Sequence, residues 1–176
     1  MNKVAEAIHG YVGTELVSAN EEFLNNEKLA LLVYKGALHL HPDDSSDAIV
    51  ELFKANDWSN AWKDSILHKH HFHATTHEAL GIFCGKADVQ FGGNEGVVIE
   101  LVRGDVVVIP AGVAHKNLES SRDFLCIGAY PNGQDYDMNY GIERDSNRLL
   151  DNIKNVAIPV TDPVFGKDGP LLQHWK

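Results

Sequence analysis

Two stretches decide how this chain is read: Leu67-His-Lys-His-His-Phe-His73-Ala-Thr-Thr-His-Glu78 and Gly104-Asp-Val-Val-Val-Ile-Pro110-Ala-Gly112-Val-Ala-His115. Five of the ten histidines fall between His68 and His77. A flexible His-rich tract with weak, unspecific metal affinity would show the same enrichment, but the order within the tract argues for something more defined. In an extended strand, residues i and i+2 share a face, about 6.5–7 Å apart. His71 and His73 therefore project together, Phe72 points the other way, and the same alternation turns His68 and His70 aside. Glu78 follows after four spacer residues, enough for a turn into the next strand. In the second stretch, Pro110 fixes φ and Gly112 permits a positive φ, so the chain can reverse there and send His115 back along a neighbouring strand. Two imidazoles and a carboxylate converging on one point, joined by a third imidazole, bind a first-row divalent metal while leaving positions open.

Outward from these stretches the sequence is rich in short β runs. Ala79–Phe83, Ala87–Phe91, Val97–Leu101, Val106–Ile109 and Phe124–Tyr130 carry β-branched and aromatic residues, and turn clusters such as Gly92-Gly-Asn-Glu-Gly96 and Arg103-Gly104-Asp105 separate them. Such even punctuation predicts an all-β sandwich or barrel. Before it, Leu29–Tyr34 reads as a buried strand. Asp47–Asn56 has helical spacing at Ile49, Leu52 and Phe53, with Asp47 as the expected cap. A short helix is expected near Asn147–Ile153. No linker divides residues 1–176, which are expected to form one domain with a barrel core at about 62–131, an N-terminal extension at 1–61 and a C-terminal extension at 132–176.

The run His71-x-His73-x4-Glu78-x6-Gly85 resembles the first motif of the cupin family, and Gly104-x5-Pro110-x-Gly112-x2-His115 resembles the second. The resemblance implies a jelly-roll-type small barrel, the cupin double-stranded β-helix, with short peripheral helices. It also implies His71, His73, Glu78 and His115 as ligands of one divalent transition metal: Fe, Mn, Ni, Co, Zn or Cu. Two positions depart from the family pattern. Ser65 stands where a glycine is usual and Glu119 where an asparagine is usual, which bears on local turns and not on the ligands. The surrounding segments His70–Gly81, Gly128–Asp135 and Thr161–Pro170 resemble a bacterial group of single-domain YjlB-like cupins. That resemblance sharpens the fold and leaves the reaction open.

Composition narrows the partners. A formal charge of −10 with no Lys/Arg run argues against nucleic acid. No apolar run approaches the ~20 residues of a membrane span, and no signal-peptide pattern opens the chain. The two cysteines, Cys84 and Cys126, are far apart and form no CxxC, so free thiols and a cytoplasmic location are expected. The length of both extensions and their apolar segments, with the family resemblance, suggest a homodimer.

Around the metal, Lys69 shares the parity of His71 and His73 and can reach the barrel mouth; Asn117 and Tyr130 are candidate supporting donors. Leu80 and Ile82 are expected to line the cavity. Cys84 and His77 read better as packing residues, and Asp135 and Asp137 as a solvated turn. Three imidazoles and a carboxylate leave about two positions free on an octahedral ion. The expected function is thus a metal-dependent, dioxygenase-like enzyme on a small oxygen-bearing organic substrate. A metal-dependent isomerase or decarboxylase and a non-catalytic binding module are the alternatives. A barrel whose ligands have decayed ranks last, because all four ligand types are present.

Overall fold

The β-branched runs fold as two sheets laid face to face, in a computed structural model that describes residues 5–8, 10–141 and 146–176. In chain order the elements are β1 (Glu6–Ala7), β2 (Val12–Glu15), β3 (Leu31–Tyr34), β4 (Leu38–His39), α1 (Asp47–Ala55), β5 (Trp58–Asp64), β6 (Glu78–Cys84), β7 (Lys86–Phe91), β8 (Val97–Val102), β9 (Val106–Ile109), β10 (His115–Ser120), β11 (Leu125–Pro131), α2 (Ser146–Asn155) and α3 (Leu171–His174). One sheet has the order β2-β3-β9-β6-β11-β5, the second β10-β7-β8, and β1 pairs with β4 alone. Every pairing is antiparallel. This is the jelly-roll sandwich that the motif resemblance implies. No helix among the described residues is long and apolar enough to cross a membrane.

The inner strands of the six-stranded sheet are buried on both faces, which explains why β3 and β9 read as unbroken apolar runs. Along β9, Val107 and Ile109 face the inter-sheet core with Leu80, Val89, Phe91 and Leu101. Val106 and Val108 face outward, under Ile49, Phe53, Trp58, Leu171 and Trp175. Each such side chain, fully buried, contributes about 1.5–3 kcal/mol. Helix α1 lies on β6 because Gly81 leaves room: a Cβ there would stand 2.8 Å from Ile49 Cγ2.

The sheet therefore reaches beyond residues 62–131. Strands β2 and β3 pair onto its β9 side, and β5 begins at Trp58. The cap of α1 also differs from expectation. Ser46 occupies the N-cap without a side-chain hydrogen bond, and Asp47 is the first helical residue, paired with Lys63. The C-terminal segment is pinned by Asp162, fully buried, whose carboxylate accepts from Tyr34 Oη (2.6 Å) and from the amides of Val164 (2.8 Å), Phe165 (3.0 Å) and Leu171 (3.1 Å).

Candidate metal centre

The histidine tract is extended without forming a regular strand. His71 bridges His115 through reciprocal backbone hydrogen bonds, Phe72 bridges Asn139, and Gly112 N donates to His73 O at 2.7 Å. This double anchoring keeps the expected alternation. Phe72 is buried in a satellite core with Phe23 and Ile153, while His71 and His73 face the other way with ring centroids 6.0 Å apart. Gly112, at φ +92°, makes the reversal that returns His115 to the same point. The ligating atoms of His71, His73 and His115 all lie within 4.8 Å of one another.

Each imidazole is oriented by a backbone carbonyl. His71 Nδ1 donates to Lys69 O (3.0 Å), His73 Nδ1 to Asp137 O (2.5 Å) and His115 Nδ1 to Val113 O (3.1 Å). A carbonyl only accepts, so each Nδ1 carries the proton and each neutral ring turns the lone pair of Nε2 inward. Glu78, at the start of β6, enters from the adjacent strand and is buried. Its Oε1 accepts from Tyr130 Oη at 2.9 Å. Its Oε2 has no hydrogen-bond partner and lies 3.2 Å from His115 Nε2 and 3.4 Å from His73 Nε2. Lone pairs facing one another at that distance repel unless positive charge sits among them. The donor set fits a divalent cation of the imidazole- and carboxylate-binding kind.

Without a cation among these atoms, protons take its place. Burial pushes Glu78 up, yet positive charge on His73 and His115 outweighs it and holds the carboxyl well below the usual range, and the Glu78 charge in turn raises His73 against its own burial. Burial, reinforced by His115, pushes His71 down to about 3, so this ring stays neutral at physiological pH. Burial and the Glu78 charge raise the Tyr130 hydroxyl, which stays a donor.

The cluster opens onto a cavity of about 270 Å³ walled by Trp62, Ile66, Leu67, Leu80, Tyr130, Tyr136 and Met138. Trp62 lies flat on Gly128 of β11, where a Cβ would stand 2.1 Å from the indole, and its Nε1 donates to Tyr130 Oη at 2.8 Å. Tyr136 stacks on Tyr130 at 4.7 Å and 23°.

Of the candidate supporting residues, only Tyr130 reaches the cluster. Lys69 is exposed and sits over the Tyr140 ring, 4.4 Å from its centroid. Because the tract is bridged at His71 and not at Lys69, the chain bends away and only the Lys69 carbonyl serves the site. Asn117 is buried but bonds Ser65 and Ser120, spanning a bulge in β10, and does not line the cavity. Leu80 lines the cavity, whereas Ile82 is buried in the inter-sheet core beyond it. Cys84 lies half-buried at the end of β6, donating to Asp123 O, and Cys126 is buried; both are free. His77 packs on Trp175 and accepts from Ala111 N, and His70 meets Gln90 at 3.3 Å.

Asp137 corrects the expectation of a solvated turn. Besides its carbonyl on His73, its Oδ1 accepts from Ala74 N, Thr75 N and Thr75 Oγ1 and its Oδ2 from Asn139 Nδ2; burial raises the carboxyl, but the Asn139 bond, followed by those from Ala74 and Thr75, holds it below the usual range. Trp62, Tyr136 and Met138 were also missing from the sequence reading. The one signal for Trp62 is its register opposite Gly128, a small residue facing a large one.

Fold and site together define a cupin with a candidate metal centre. The chain belongs to the YjlB-like cupins: it is 41% identical over 151 residues to the uncharacterised protein YjlB of Bacillus subtilis (strain 168), covering 86% of this chain and 88% of that one. No protein-family model matches. Similar solved structures include a DUF861-family protein of Thermotoga maritima (18% identity, TM-score 0.34, 56% of this chain and 96% of that one). A cupin-like protein of the same organism is 14% identical (TM-score 0.35, 77% and 92% covered). A deletion mutant of Bacillus subtilis oxalate decarboxylase is 17% identical (TM-score 0.34, 68% and 30% covered).

Proposed function

We propose that this cupin is a metal-dependent, dioxygenase-like enzyme acting on a small oxygen-bearing organic molecule, with one divalent transition metal held by His71, His73, Glu78 and His115. The observation that carries it is the buried, unpartnered Glu78 Oε2 facing the inward Nε2 atoms of His73 and His115 at the floor of a cavity. A structural ion favours a closed tetrahedral shell, whereas this donor set opens on one side. Such an ion supplies Lewis acidity and, if redox-active, a centre where an organic substrate and dioxygen can meet.

The chain's own residues do the rest. Three backbone carbonyls hold the imidazoles in the ligating tautomer. Tyr130, braced by Trp62, fixes one oxygen of Glu78 and leaves the other for the ion. Aromatic and aliphatic walls exclude water and favour an apolar body of modest size. The cavity's one lysine, Lys63, is engaged with Asp47, and Lys69 lies outside. With no lysine free to meet a substrate carboxylate, phenols, catechols and diketones suit the cavity better than small acids. A homodimer and a reducing cytoplasm, in keeping with the two free thiols, complete the proposal.

The test is to load metal-free protein anaerobically with iron, manganese or nickel, then follow oxygen and products with diketones, flavonoids, catechols and small hydroxy acids. Oxygen consumed in step with product, and lost in Glu78→Ala, is the expected result. Tight binding without turnover in any metal form would point to a binding module instead.

A further inference from the structure

Outside the barrel, β1 and β4 make a two-residue ribbon with Glu6 directly opposite His39. His41 lies two residues beyond His39, and the two rings meet edge to face at 4.6 Å and 82°. The carboxylate of Glu6 and one nitrogen from each imidazole lie within 4.8 Å of one another, all exposed. None of the three side chains has a hydrogen bond or ion pair with another described residue.

We propose that Glu6, His39 and His41 form a second divalent-metal site, at the surface, that clamps the N-terminal strand to the barrel. Two imidazoles and a carboxylate with a water in the fourth position suit a zinc-like ion. The histidine backbone is already set: Leu38 N donates to Gly104 O at 2.9 Å, His41 N to Asp44 Oδ2 at 2.7 Å, and Arg103 holds the carbonyls of Leu40 and His41. Only exposed side chains need rotate to close on an ion. Strand β1 is held far more lightly. Both its residues are exposed, and its flanks add one backbone bond from Ala5 to Ala48 O (3.3 Å) and one from Ile8 to Ala37 O (2.8 Å). So short a pairing is marginal by itself, and an ion shared by β1 and the β4 segment ties the two together.

The experiment is a zinc titration of the full chain, comparing the unaltered protein with a His39→Asn/His41→Asn variant, with amide exchange followed over Glu6–Ile8 and Leu38–His39. The unaltered protein should take up one more zinc per chain than the variant. With zinc at about ten times its dissociation constant, exchange in β1 should slow about tenfold, in the unaltered protein only. Since a difference is measured, the result does not depend on what the buried cluster binds. Equal uptake by the two proteins, or extra uptake with unchanged exchange in β1, would overturn the proposal.

Discussion

At the scale of single residues, Tyr130 and Lys69 separate what touches the site from what merely lies near it in sequence. Tyr130→Phe removes the one hydrogen bond to Glu78 Oε1 and should weaken metal binding about tenfold or more. Lys69→Ala leaves the carbonyl that holds His71 and should leave affinity within a factor of about two. Competition with a calibrated chelator measures both, and equal losses would show that the Tyr130 bond does not position the carboxylate. His77 offers a pH signature. Burial holds its folded pKa at about 4, against 6.5 for an ordinary imidazole, so the unfolded chain protonates first as pH falls. Its contribution to stability is full above pH 6.5, declines between 6.5 and 4 and levels below 4, about 3 kcal/mol in all. Denaturant unfolding in chelator should show His77→Asn losing less stability across that window. Identical pH slopes would mean that His77 is not held neutral. The candidate ligands were legible because extended-chain parity pairs His71 with His73, a proline–glycine reversal returns His115, and the spacing of the family motif adds Glu78. Asp137 was not, because its role lies in a carbonyl and a loop clamp that parity does not encode.

At the scale of elements, the contact of β5 with β11 builds the cavity wall. Gly128→Ala places a methyl within 2.4 Å of the Trp62 indole, which must swing away from Tyr130. Destabilisation of about 1–3 kcal/mol is expected, together with changed tryptophan fluorescence. An unchanged spectrum and unfolding midpoint would contradict that packing. Asp162→Ala strands the Tyr34 hydroxyl and three amides and should cost about 3 kcal/mol or more in the same assay. Strands β6 to β9 and β11 were legible from β-branched runs between turns. The pairing of β3 with β9, and of β2 with β3, was not, because an unbroken apolar run such as Leu31–Tyr34 says that both faces are covered but not by what.

At the scale of the whole molecule, the extensions cover the outer face of the large sheet, which accounts for many of their apolar residues without a partner chain. Among the surfaces left for an interface is the free edge of β2, flanked by Tyr11 at 73% and Leu16 at 52% exposure. Light scattering at micromolar concentration should give the dimer mass, and a monomer mass would remove the homodimer from the proposal. The central claim is that the buried cluster holds one divalent transition metal. Metal analysis of protein carrying His39→Asn/His41→Asn, so that the surface cluster contributes nothing, tests it most directly. One equivalent per chain is expected, and none after His73→Ala or Glu78→Ala, with circular dichroism showing the barrel intact. Retention of a full equivalent in both variants, or its absence from the parent after reconstitution with each candidate metal, would contradict the account.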